Sequence, residues 1–282
     1  MFPLNFHALL RRYHLQPDKR LGQNFLIDEV ALARIAAAAD LTASDVVLEI
    51  GAGLGSLTRH LALAAAKVVA VEVDTQLLPP LEFVLRPYPN VELVCADILC
   101  LAPEALVGAG QAYKVVANIP YYITGAVIQH LLEAEKRPQL IVLTVQREVA
   151  ERICAPPGDM NLLAVSVQFY GRPQIVARIP PGAFYPRPQV TSAVVRIEVG
   201  ERPAVTVTDT HRFFRLVRAG FGQKRKQLLN SLSNGLGVDR LQVGDWLARA
   251  GIAPRRRAES LSLPEWAALE QAMTRTELTS ST

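Results

Sequence analysis

The chain has 282 residues, half of them apolar, and a formal net charge of +4; it is long enough for one large domain or a large and a small one, and too apolar for bulk disorder. No uninterrupted apolar run approaches the roughly 20 residues that a bilayer requires, and Arg11, Arg12, His14 and Asp18 near the start lead into no secretory apolar stretch, so a soluble cytoplasmic protein is expected. Three cysteines, Cys95, Cys100 and Cys154, and five scattered histidines show neither a disulfide framework nor a ligand spacing, so no metal is expected.

In chain order, Asp28 as N-cap opens an Ala-rich helix from Glu29 to Asp40. Short β-branched runs then alternate with helices. The strands are Val46 to Ile50, Lys67 to Val73, Val91 to Cys95, Lys114 to Ala117 and Leu140 to Val145; the helices are Leu54 to Leu63, Thr124 to Glu135 and Arg147 to Ile153. A crossover helix is expected within Asp74 to Arg86, shortened or kinked by Pro79 and Pro80. Two later strands, Gln174 to Ile179 and Ser192 to Val199, flank the proline-rich loop from Pro180 to Pro188. This alternation implies an α/β fold with a Rossmann-like, mostly parallel, doubly wound sheet covered on both faces.

Past Glu201-Arg202-Pro203 the strands stop. Amphipathic helices are expected around Thr210 to Phe221, Lys226 to Asn234, Val243 to Ala250 and Pro264 to Met273, followed by a floppy tail from Thr274 to Thr282. Residues 1–204 are thus expected to form the α/β domain and residues 205–282 a smaller all-α domain. From Val205 onward 12 Lys and Arg stand against 7 Asp and Glu, so the positive end of the chain is the C-terminal one, where a polyanionic partner is expected.

The strand ending at Ile50 runs into Gly51-Ala52-Gly53-Leu54-Gly55 and then a helix. Glycines there allow a tight turn and a close ligand approach at the carboxyl end of a parallel strand. The spacing, Gly-x-Gly-x-Gly after an acid, is not the Gly-x-Gly-x-x-Gly of enzymes that seat a pyrophosphate. About 20 residues on, the second strand ends in Glu72 and Asp74; a carboxylate at Glu72 can accept the hydroxyls of an adenosine ribose, and Asp74 can cap the next helix. Asp97 follows the third strand and can accept from an adenine amine. The fourth strand ends in Asn118-Ile119-Pro120-Tyr121-Tyr122. An amine conjugated to a purine ring is a poor nucleophile, because its lone pair is delocalised. Two acceptors, the Asn118 side-chain oxygen and a carbonyl held out by the proline turn, favour a pyramidal nitrogen, while an aromatic such as Tyr121 stacks on a flipped-out base.

These residues resemble the ribosomal RNA adenine N6-dimethyltransferases nearly end to end. Lys19-Arg20-Leu21-Gly22-Gln23-Asn24-Phe25-Leu26 is similar to the family's N-terminal cofactor motif, Glu49 to Gly55 to its glycine loop and Asn118-Ile119-Pro120-Tyr121 to its catalytic motif. Gln146-Arg147-Glu148-Val149-Ala150-Glu151-Arg152 and Pro180 to Pro188 follow in the family's order. The resemblance implies S-adenosylmethionine as cofactor, contacted by Gln23, Asn24, Leu26, Gly51, Gly53, Glu72, Asp97 and Asn118. It implies Asn118, Ile119, Pro120, Tyr121 and Phe184 as the catalytic set, with Tyr121 and Phe184 on either side of the target adenine. Met160-Asn161-Leu162-Leu163-Ala164 departs from the family's usual Tyr-Gly-x-Leu-Ser.

Within the family, Phe213 to Leu228 resembles the branch that dimethylates two adjacent adenines near the 3′ end of small-subunit RNA, so that RNA or its precursor particle is the expected partner. Arg215, Arg218, Lys224, Arg225 and Lys226 there form a cationic helix end suited to phosphates. A monomer is expected. The alternatives are a large-subunit resistance methyltransferase, a non-catalytic assembly factor and a nicotinamide dehydrogenase, the last disfavoured by its glycine spacing.

Overall fold

The computed structural model describes residues 4–108 and 110–279 and divides into two compact units, Met1–Ala150 with Arg172–Glu201 and Glu151–Gly171 with Arg202–Thr282. In chain order the elements are α1 (Phe6–Arg12), β1 (Phe25–Leu26), α2 (Glu29–Ala38), β2 (Val46–Ile50), α3 (Ser56–Ala62), β3 (Lys67–Glu72), α4 (Leu78–Leu85), β4 (Val91–Cys95), α5 (Pro103–Val107), β5 (Lys114–Asn118), α6 (Thr124–Glu133), β6 (Leu140–Gln146), α7 (Arg147–Ile153) and α8 (Leu162–Tyr170). There follow β7 (Gly171–Ile179), β8 (Phe184–Tyr185), β9 (Ser192–Val199), α9 (Thr210–Phe221), α10 (Leu228–Leu236), α11 (Arg240–Arg249) and α12 (Leu263–Thr279).

The first unit is built on a seven-stranded sheet in the order β4-β3-β2-β5-β6-β9-β7. Neighbours from β4 to β6 are parallel and β9 is antiparallel to β6, giving the expected mostly parallel α/β architecture. All five residues of β2 are buried, as are Leu140 to Val145 of β6. Helices cover both faces of such strands, which is why they read as near-continuous apolar runs, broken here by Glu49 and Thr144, rather than alternating ones. Asp28 caps α2 through the Ala31 N–H at 2.8 Å.

Pro79 and Pro80 shorten the helix, as expected, and do not kink it. A 3₁₀ turn over Thr75–Leu77 precedes them and α4 begins at Leu78, so both prolines sit in its first turn, where a missing N–H costs no helical bond. The two-residue pairing of β1 with β8, Phe25 opposite Tyr185 and Leu26 opposite Phe184, has no local sequence signature.

The second unit is helical and takes in the segment 151–171, which the sequence pattern assigned to the α/β domain. The reason is aromatic packing. Phe169 of α8 stacks on Phe213 of α9 with ring centroids 4.7 Å apart, and meets Phe214 edge-on at 5.1 Å. Glu270 of α12 is fully buried and receives the Arg212 Nε at 2.9 Å and the Thr208 N–H at 3.0 Å, which fixes the entry to α9. Helix α12 continues past the expected Met273 to Thr279; the remainder of the expected tail, residues 280–282, lies outside the described residues. Among the described residues no helix is long and apolar enough to cross a membrane.

Candidate active site

Strand β2 lies between β3 and β5, the point at which strand order reverses and a crevice opens at the carboxyl ends of the strands. A cavity of about 290 Å³ occupies this place. It gathers Gln23, Gly51, Gly53, Glu72, Asp97 and Pro120 from the sequence-predicted set. A smaller cavity of about 30 Å³ is lined by Gln23, Asn24, Asn118, Ile119, Pro120 and Tyr121. Gln23 and Pro120 are common to both.

The glycine loop is locked to the strand beside it. Gly51 and Gly53 have φ of +75° and +60°, a region that favours glycine, and a Cβ on Gly53 would come within 3.2 Å of the Phe25 ring. The Gly53 N–H donates to Glu72 Oε2 at 2.8 Å, while Val73 and Asp74 donate to Oε1 at 3.0 and 2.9 Å. Burial raises the Glu72 pKa, and these three N–H groups pull against that rise. A carboxylate offers about four acceptor positions, so Glu72 keeps roughly one for a ligand hydroxyl.

Asp74 accepts the Gln76 N–H at 3.0 Å and the Gln23 side-chain amide at 2.7 Å. It is therefore a cap that also holds Gln23 over the cavity. Asp97, which lines the cavity, likewise caps a 3₁₀ turn through the Leu99 N–H, which donates to its Oδ1 at 2.9 Å.

Asn118 is the last residue of β5. Its Nδ2 donates to the Asn24 carbonyl at 3.3 Å, and the Asn24 amide in turn donates to the Gly22 carbonyl at 3.1 Å. The N-terminal motif thus fixes which way the Asn118 amide faces, and Oδ1 is the atom that remains to accept. Tyr121 opens a 3₁₀ turn over Tyr121–Ile123, and its hydroxyl meets Ser192 Oγ of β9 at 2.7 Å. Burial raises the Tyr121 pKa, with the Ser192 contact opposing.

Two expected residues lie elsewhere. Leu26 and Phe184 are each 3 % exposed and pack with Leu32, Ile35 and Ile179 in the core; neither lines the two cavities. The open aromatic of that turn is Tyr185, 37 % exposed. Sequence reasoning missed Phe25, Leu77, Ile98, Leu99, Tyr122 and Ile123, all of which line the larger cavity. Tyr122 is 66 % exposed, and its position beside the catalytic motif was the available signal. In the helical unit, Arg215 and Arg218 are exposed on one face of α9, and Lys224, Arg225 and Lys226 are exposed in the turn that follows.

The family model for ribosomal RNA adenine dimethylase matches residues 15–274. The ribosomal RNA small subunit methyltransferase A of Dehalococcoides mccartyi is 47 % identical over 258 residues, 92 % of this chain and 89 % of the relative. That of Pelotomaculum thermopropionicum is 46 % identical over 279 residues, 95 % of each. Among solved structures, the 23S rRNA methyltransferase ErmE is 29 % identical with a TM-score of 0.71, over 89 % of this chain and all of its own. A Plasmodium falciparum dimethyladenosine transferase, 24 % identical with a TM-score of 0.73 over 89 % of this chain and 97 % of its own, shares the fold. A model match across most of the length and relatives near half identical agree with the two cavities and the Asn118 turn: the chain belongs to the ribosomal RNA adenine dimethylase family.

Proposed function

We infer that this protein dimethylates the N6 amines of two adjacent adenines near the 3′ end of small-subunit ribosomal RNA, using S-adenosylmethionine. The observation that carries the reading is the amide of Asn118, whose nitrogen is tied to the Asn24 carbonyl and whose oxygen therefore faces a substrate as an acceptor. Nearly half identity to two small-subunit enzymes, against 29 % to a large-subunit one, favours the small-subunit substrate.

The residues of the larger cavity fit the cofactor. Glu72, with an acceptor position to spare, suits a ribose hydroxyl; Asp97 suits an adenine amine; Ile98, Leu99 and Tyr122 give apolar walls for a ring; Gln23, Gly51 and Gly53 border the rest, and Asn24 lines the adjoining smaller cavity. When bound, S-adenosylmethionine supplies an activated methyl group. Asn118 Oδ1 and the Ile119 carbonyl accept the two amine hydrogens of the adenine and turn its lone pair out of the ring plane. Pro120 holds that carbonyl out of the strand. Tyr121 stacks on the base. The role expected of Phe184 requires its ring, covered in the core, to become open as the base enters. Positioning carries most of such a reaction. In the helical unit, Arg215, Arg218, Lys224, Arg225 and Lys226 hold RNA phosphates.

Asn118→Ala is expected to abolish methyl transfer while leaving cofactor binding measurable by calorimetry. Near-normal turnover in that variant would overturn the assignment.

A further inference from the structure

At the carboxyl end of β6 lies a second polar pocket that the catalytic reading leaves unused. It has a volume of about 230 Å³ and is lined by Gln146, Arg147, Glu148, Val190 and Thr191. The sheet sets its walls. Gln146, the last residue of β6, stands in register with Ser192, the first of β9, and the Arg147 N–H donates to the Thr191 carbonyl at 3.0 Å.

Ser192, next in the chain to the lining residue Thr191, is also the residue whose hydroxyl meets Tyr121, so the pocket wall adjoins the residue that holds the ring proposed to stack on the target base. Asn118 pairs with Thr144, two residues before Gln146, which is roughly 7 Å along a strand. A group bound here is thus a near neighbour of the target base. No hydrogen bond engages the Gln146 side-chain amide among the described residues.

We propose that this pocket takes the adenine adjacent to the one being methylated, and that the Gln146 amide reads its unmethylated N6 amine. The proposal rests on the dimethyltransferase reading above. A glutamine amide matches an adenine edge with both its atoms, the carbonyl accepting from the N6 amine and the NH₂ donating to a ring nitrogen. Glu148 can only accept and Arg147 can only donate, so neither replaces it. Val190 adds an apolar edge beside the base.

The chemistry has a consequence for the order of events. An N6,N6-dimethylated adenine has no amine hydrogen left to donate, and its two methyl groups widen that edge. The pocket therefore favours an unmodified neighbour over a finished one, and the first dimethylation slows the second through Gln146.

The test uses the full-length protein and small subunits assembled on RNA that is either unmodified or already dimethylated at one of the two adenines, and measures transfer to the remaining one. Wild type is expected to be slower on the premodified RNA by roughly tenfold or more, as for loss of a bidentate base contact. Gln146→Ala is expected to bring the two rates within about twofold, with its melting temperature checked against wild type. Equal rates for wild type on the two RNAs, or an unchanged ratio in Gln146→Ala, would overturn the proposal. So would equal losses on both RNAs in Gln146→Ala and Arg147→Ala with a reduced salt dependence, which would assign the pocket to a phosphate. Absence of any transfer by wild type to unmodified subunits would instead overturn the parent reading, and the proposal with it.

Discussion

The Tyr121 hydroxyl lies 2.7 Å from the Ser192 hydroxyl, which ties the end of the Asn118-Ile119-Pro120-Tyr121 turn to the first residue of β9. Ser192 is fully buried, so the tether has one geometry. Removing it leaves the stacking ring free to rotate. Ser192→Ala is expected to lower the rate at saturating RNA about tenfold, within the range seen when a reacting group is misplaced, with cofactor affinity unchanged. Tyr121→Phe should match it, and the double variant should be no worse than either, because both remove one interaction. Additive losses would separate the two residues.

Glu49 gives the fold a pH dependence of a definite sign. It is 1 % exposed on β2, its Oε2 has no hydrogen-bond partner among the described residues, and burial, reinforced by the charge of Glu72 and opposed by Thr58, pushes its pKa from 4.5 up to about 8. The folded chain therefore keeps a proton that the unfolded chain releases. Stability from this group is fully present below pH 4.5 and falls as pH rises toward 8, by up to about 1.4 kcal/mol per pH unit. Glu49→Gln should flatten that slope in urea unfolding compared between pH 5 and 8. A wild-type slope that survives the substitution would place the titrating group elsewhere.

The helical unit has a close approach that tolerates no added atom. A methyl at Gly220 of α9 would overlap the ring of Trp266 in α12, and that indole is fully buried. Gly220→Ala is expected to destabilise the unit by about 1–3 kcal/mol through overpacking, with a shifted tryptophan emission. Unchanged unfolding would show that α12 moves aside freely.

Lys224, Arg225 and Lys226 are exposed together after α9. Replacing all three with alanine should weaken RNA binding and reduce the salt slope of log affinity by roughly 2–3. An unchanged affinity and slope would move the phosphate contacts to another face.

What the sequence makes legible is local. The strand ending at Ile50, the glycine loop and the Asn118 turn depend on residues adjacent in the chain, and the structure brings them to one crevice. Pro79 and Pro80 carry an ambiguous signal, since a proline that ends one helix also opens another, and only the 3₁₀ turn at Thr75–Leu77 decides which. Leu162 to Tyr170 lacks a polar stripe because Val165, Val167 and Phe169 are all buried, so helical periodicity does not mark α8. The remaining features are long-range. Gln23 reaches Asp74, Tyr121 reaches Ser192, and Leu26 pairs with Phe184; no pattern within a window of the chain encodes such pairs. The burial of Phe184 belongs to the same class, because its neighbour Tyr185 is the exposed member of the pair.

The most direct measurement of the central claim is transfer of labelled methyl from S-adenosylmethionine to unmethylated small subunits, with mass mapping of the modified nucleosides. Dimethyladenosine at two adjacent positions near the 3′ end of the small-subunit RNA, absent with Asn118→Ala, is the expected result. Methyl groups found only on large-subunit RNA tested in parallel, or on neither, would contradict it.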